Sequence, residues 1–95
     1  MSLGRVTVKF FATVREITGT KSVEIDAGDV KQLLKGLTRM FGKRFADAVM
    51  DPQSGGLKRF YSCMVNGKRI ELLGGYQTKL NDGDIVALFP PVGGG

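Results

Sequence analysis

The chain of 95 residues, 42% of them hydrophobic, can build one small core and leaves no room for a second. Fourteen Lys and Arg against nine Asp and Glu give a net charge of +5, but the basic residues are scattered in pairs (Lys43-Arg44, Lys58-Arg59, Lys68-Arg69). A single cysteine and no histidine rule out an internal disulfide, a cysteine-based zinc site and the commonest general base, which disfavours a self-contained hydrolase or metalloenzyme.

No apolar run approaches the length of a membrane helix and no signal segment opens the chain, so a cytoplasmic protein in a reducing compartment is expected. Met1-Ser2-Leu3 precedes the first patterned stretch and carries no part of the functional argument. A nucleic-acid surface needs a basic stripe interleaved with aromatics, and only Lys58-Arg59-Phe60-Tyr61 has that character. The charge is better read as a solvated surface.

From Arg5 to Thr13, Val6, Val8, Phe10 and Ala12 alternate with Thr7, Lys9, Phe11 and Thr13, the period of a half-buried strand. Lys21 to Ile25 repeats it, with Val23 and Ile25 inward. The stretch between, Arg15 to Thr20, carries Gly19 and reads as a hairpin loop. Asp29 with Gln32 three residues on forms a capping box ahead of Val30, Leu33, Leu34, Leu37, Met40 and Phe41, an apolar stripe at helical spacing. Gly36 within that helix suggests close approach to the sheet, and Gly42 suits its C-terminal cap.

Phe45, Ala48 and Val49 indicate a short second helix ending before Pro52, and Gln53 to Gly56 a loop. Tyr61 to Val65 is strand-like, Asn66-Gly67 is a strong hairpin turn signal, and Lys68 to Leu72 is the expected return strand. A connection follows from Gly74 to Leu80, then a turn at Asn81-Asp82-Gly83-Asp84. The last strand, Ile85-Val86-Ala87-Leu88-Phe89, is apolar on both faces, as befits a central strand or one with a partner on its outer side.

This order predicts an α+β fold, a ubiquitin-like β-grasp: a mixed sheet of four to five strands, one main helix across it, a short second helix, and the last strand beside the first. A single domain spans residues 1–95, with residues 90–95 as its C-terminal tail. The glycine pairs at 55–56 and 74–75 lack phosphate-loop context. Asp47 and Asp51 read as surface carboxylates, Asp82 and Asp84 as turn formers, and Cys63, in phase with Tyr61 and Val65, as a buried apolar residue. No metal site is expected.

What remains is the tail, FPPVGGG, Phe89 to Gly95. Pro90 and Pro91 fix φ and set a stiff, extended exit. Val92, Gly93, Gly94 and Gly95 span roughly 13 Å when extended. Glycine, lacking Cβ, lets another protein enclose the backbone closely. The carboxylate of Gly95 becomes reactive once adenylated, after which it can take sulfide or an amine. With Val86 and Leu88 inward, Ile85, Ala87 and Phe89 join Phe11 in an outward apolar patch beside the tail, the expected partner surface, unless the segment 43–60 folds over it.

VKFFATVREITGT and LNDGDIVALFPPVGGG, with the β-grasp order between them, resemble the MoaD family of sulfur carriers, the small subunits of molybdopterin synthase. The resemblance spans nearly the whole chain, though the region from Lys43 to Gly56 is longer than in compact members. It implies that Gly95 is adenylated by a MoeB-like enzyme using ATP, becomes a thiocarboxylate and enters a MoaE-like large subunit. There the sulfur passes to a pterin precursor, and the large subunit supplies the catalytic side chains. The chain itself would bind no cofactor and carry sulfur only covalently at Gly95. Alternatives sharing the activation chemistry are a ubiquitin-like modifier joined to target lysines and a carrier for thiamine or sulfur amino-acid synthesis. An inert binding module is the remaining one.

Overall fold

The computed structural model describes residues 3–91. Five strands form one mixed sheet: β1 (Gly4–Phe10), β2 (Ser22–Ala27), β3 (Ser62–Val65), β4 (Lys68–Arg69) and β5 (Ile85–Phe89), in the order β2-β1-β5-β3-β4. β5 runs parallel to β1, with Val8 opposite Val86, and antiparallel to β3, with Cys63 opposite Leu88. Among the described residues, three α-helices, α1 (Ala12–Thr18), α2 (Val30–Phe41) and α3 (Lys43–Val49), complete the α+β fold.

The alternation in β1 puts Val6, Val8 and Phe10 into the core, where each is at most 1% exposed. Two residues later the pattern fails. The expected first strand stops at Phe10, and the expected hairpin loop is α1, a seven-residue helix with Val14 buried and Ile17 packed on the core. Ala12, expected inward, is exposed and takes φ 52, the point where the chain turns out of the sheet. Gly19 closes α1 in the left-handed region (φ 75), with its N–H donating to the carbonyl of Arg15 at 2.8 Å. β1 and β2 are therefore antiparallel neighbours joined through a helix.

α2 starts as its capping box dictates: Asp29 Oδ1 accepts the Gln32 N–H at 2.8 Å, and Gln32 Oε1 accepts the Gly28 N–H at 2.8 Å. Val30, Leu33, Leu34 and Leu37 are buried, and Phe41 meets Phe10 edge-on at 5.6 Å. Met40 departs from the expected stripe: it lies at the stripe's margin, rotated toward β2, and is 50% exposed. α2 passes close to β2 at Gly36, where a Cβ would stand 2.6 Å from Ile25 Cδ1.

α3 packs against α1 and α2, and its buried Phe45 and Val49 join the core, with Phe45 6.1 Å from Phe41. Met50 and Leu57, bridged to each other, also pack on that core. The segment 43–57 thus thickens the helical side of the sheet and does not fold over its outer face. Asn66 (φ 52) and Gly67 (φ 83) form the expected hairpin turn. The return strand is shorter than expected, since Ile70–Leu72 is a 3-10 turn that buries Ile70 beneath the sheet end.

Candidate docking face and tail exit

Period-two alternation gives β5 two unlike faces. Val86 and Leu88 are at most 1% exposed, whereas Ile85 is 43% exposed and Ala87 and Phe89 are half-buried on the outer side. Phe11, immediately after β1, stacks on Phe89 with ring centroids 4.5 Å apart and planes 12° from parallel. Its backbone position at the start of α1 is held by Arg15, whose Nε donates to the Phe10 carbonyl at 3.2 Å. The four outward residues read from the sequence therefore share one face, and two of them stabilise each other.

The register adds a neighbour that the sequence reading left out. Met64 of β3 stands opposite Ala87 and is half-buried. Its signal was available, since Cys63 and Val65 facing inward oblige Met64 to face out. Lys9, opposite Ala87 on the other side, and Arg69, opposite Met64, put positive charge on the margins of this strip. Arg5 lies further along β1, raised above its usual pKa chiefly by its hydrogen bond to Asp26 (3.3 Å) and then by Glu24 (3.4 Å).

Pro90 is half-buried and Pro91 exposed, so the chain leaves the sheet beside the stacked aromatics. Val92, Gly93, Gly94 and Gly95, the residues expected to thread into a partner, lie outside the described residues. Because β3 runs antiparallel to β5, the residues before β3 stand at this same end of the sheet. Among them Phe60 is 74% exposed with φ 69, and Arg59 lies over its ring at 5.2 Å from the centroid. A left-handed backbone at a bulky aromatic is invisible to residue patterning. The two cations of the basic-aromatic stretch are locally engaged: Lys58 Nζ donates to the Asp47 carbonyl, and Arg59 covers Phe60.

The remaining chemistry-bearing residues have structural employment. Cys63 is buried, and burial pushes its thiol up to about 12, which keeps it protonated and unreactive at neutral pH. Asp82 Oδ1 accepts the Arg5 N–H at 2.7 Å, tying the last turn to β1, and Asp84 Oδ2 accepts the Asn81 N–H at 2.8 Å within the turn. Asp47 pairs with Lys43 at 2.6 Å, and Asp51 accepts the Gln53 N–H at 2.9 Å. Among the described residues no cluster of three potential metal ligands occurs and no helix is long and apolar enough to cross a membrane.

A profile of the ThiS family matches residues 8–95. Small archaeal modifier protein 3 of Haloferax volcanii is 36% identical, over 93% of this chain and 96% of its own. The sulfur carrier protein CysO of Mycobacterium tuberculosis is 34% identical, over 95% of this chain and 98% of its own. Among solved structures, small archaeal modifier protein 1 of Methanosarcina acetivorans superposes with a TM-score of 0.85 at 28% identity, covering 100% of both chains. With the β-grasp sheet, the outward apolar strip and this match in hand, the chain belongs to the ThiS family, within the ThiS/MoaD group of ubiquitin-like sulfur carriers.

Proposed function

We propose that this chain carries sulfur as a thiocarboxylate on Gly95. The observation that supports this most is the pairing of a side-chain-free terminus with an outward apolar strip where the chain leaves the sheet, in a molecule whose sole thiol is buried. The Gly95 carboxylate attacks the α-phosphate of ATP, forming an acyl-adenylate and releasing pyrophosphate. A hydrosulfide equivalent then attacks the acyl carbon, the C–O bond to AMP breaks, and the thiocarboxylate and AMP result. Both steps occur on a partner enzyme of the MoeB type, because this chain offers no histidine and no reactive thiol.

The role of the domain is placement. The stack of Phe11 on Phe89, with Ile85 and Ala87, docks on the partner, and Pro90 and Pro91 direct Val92 to Gly95 into its active site. Holding the sulfur on a tethered terminus makes its delivery effectively intramolecular. The first assignment to test for the acceptor is the pterin precursor bound in a MoaE-like large subunit, on the resemblance of LNDGDIVALFPPVGGG to the MoaD family. In a second reading the acyl-adenylate is attacked by a lysine amine of a target protein in place of hydrosulfide, so that an isopeptide forms at the Gly95 acyl carbon and AMP leaves; the likeness over the whole length to small archaeal modifier proteins favours it. A carrier for another sulfur pathway is supported by the likeness to CysO.

Incubation with the activating enzyme and MgATP should release pyrophosphate in a chain-dependent manner, and deletion of Gly94-Gly95 should abolish it. Undiminished release from the truncated chain would remove the terminus from the reaction. Sulfur transfer from the thiocarboxylate form to the pterin precursor in the large subunit assigns molybdopterin synthase, while isopeptide adducts on lysines, formed with the activating enzyme and MgATP, assign the modifier role.

A further inference from the structure

At the opposite edge of the sheet, among the described residues, β2 pairs with β1 on one side only. The Phe10 N–H donates to the Lys21 carbonyl at 2.9 Å, which marks that pair as hydrogen-bonded; alternation then makes Val8–Val23 and Val6–Ile25 the bonded pairs. The N–H and C=O of Glu24 and Asp26 therefore point away from the sheet, along its open edge. A groove of about 580 Å³ runs between this edge and α2, floored by Ile25, Gly36 and Met40. The absence of a side chain at Gly36 lets Ile25 pack against the helix, so that the floor is apolar, and the half-exposed Met40 extends it.

The groove is also charged in one sense on its helical side. Lys31, Lys35 and Arg39 follow one another at intervals of four along α2, so the three cations form a row that disfavours the helix by mutual repulsion. Among the described residues none of the three has a carboxylate within salt-bridge distance, while Asp26, which also lines the groove, is engaged with Glu24 by Arg5. A free strand edge, an apolar floor and an unneutralised basic row select the same ligand: an extended segment with alternate apolar side chains and an acidic flank.

We propose that the groove between β2 and α2 is a docking site for such a segment of a partner protein, which adds to the sheet as a sixth strand beside β2 and sets its acidic flank against Lys35 and Arg39. The site is separate from the tail, with β1 lying between β2 and β5, and the proposal does not depend on chemistry at Gly95.

The test is amide NMR of the full chain titrated with a short peptide of alternating valine and threonine followed by glutamates, against the same peptide ending in lysines. The acidic peptide should shift the amides of Ser22, Glu24, Asp26 and the Lys35–Met40 turn saturably and slow hydrogen exchange at Glu24 and Asp26. Glu24→Pro removes an edge N–H that the sheet does not use, and should weaken binding at least about tenfold. The pair Lys35→Glu and Arg39→Glu, at exposed helix positions that leave folding intact, should do the same. Equal binding of the lysine-flanked peptide would overturn the proposal, as would shifts confined to Ile85, Ala87 and Phe89, or full affinity in the charge-reversed variant. Concentration-dependent shifts of β2 without peptide would assign the edge to a second copy of this chain instead.

Discussion

The two faces of β5 lie on one backbone and serve opposite ends. Inward, Val86 and Leu88 meet Val8, Phe10 and Cys63 across the sheet and lose nearly all contact with water; outward, Ile85, Ala87 and Phe89 keep part of theirs. The inner side is the source of stability, because apolar area removed from water scales with burial. On the proposed function the outer side is the surface kept for a partner, and the Phe11–Phe89 stack stiffens it so that little would be lost in ordering it on binding. One strand can supply both core and outer surface when it divides its residues in this way.

The largest test of that division is Leu88→Ala, which should cost about 3 kcal/mol in denaturant unfolding, the range for emptying a well-packed core site. A loss below about 1 kcal/mol would mean that the inner face does not hold the fold. Cys63, opposite Leu88 on β3, gives a second probe. Its thiol titrates near 9 when free and is pushed up to about 12 in the fold. The folded state thus keeps the proton while the unfolded state gives it up, so stability is complete below pH 9 and declines as pH rises toward 12. Between pH 9 and pH 11 the decline should be about 2 kcal/mol greater than in Cys63→Ala, measured by unfolding at each pH. Rapid alkylation of the native thiol at neutral pH would contradict this burial.

On the outer face, Phe89→Ala or Phe11→Ala should weaken binding to the partner protein by about 2 kcal/mol, the size expected of an aromatic anchor, while the variants remain folded by circular dichroism. A double-mutant cycle on the isolated chain should give a coupling of about 1 kcal/mol between the two rings. Unfolding in both single variants would place the rings in the core and erase the distinction between faces. The smallest effect is expected at Gly36. Alanine there gains helix propensity of about 1 kcal/mol, and only the flexible end of Ile25 has to move aside, so Gly36→Ala should change stability by less than about 1 kcal/mol.

The sequence was most legible where the deciding interactions are local. The Asp29–Gln32 box, the Asn66–Gly67 turn and the alternation of β5 each depend on residues within a few positions, and each formed as read. Residues 11–18 depart from the strand pattern for a physical reason. α1 is only seven residues long, presents two apolar residues to the core and has no side-chain cap at Phe11, so nothing in it outweighs the strand alternation that runs into it. Lys68 to Leu72 was overextended because Ile70 is buried by a 3-10 turn, not by a pleat. Met40 had helical spacing but stood at the edge of its stripe, where tertiary packing decides exposure.

The outer strip was legible as a set of residues because period two assigns faces without knowledge of neighbours. That Phe11 and Phe89 stack and that Met64 joins them required the register, which a one-dimensional pattern does not contain. Phe60 was hidden more deeply: its exposure follows from a left-handed backbone that no residue preference at that position announces.

The central claim, that the terminus carries the sulfur, is tested most directly by intact-protein mass spectrometry after incubation with the activating enzyme, MgATP and a sulfide source. The account predicts a mass gain equal to one oxygen replaced by sulfur, localised to Gly95 by fragmentation and unaffected by Cys63→Ala. An unmodified Gly95, with the same enzyme active on another carrier, or sulfur found on Cys63 instead, would contradict it.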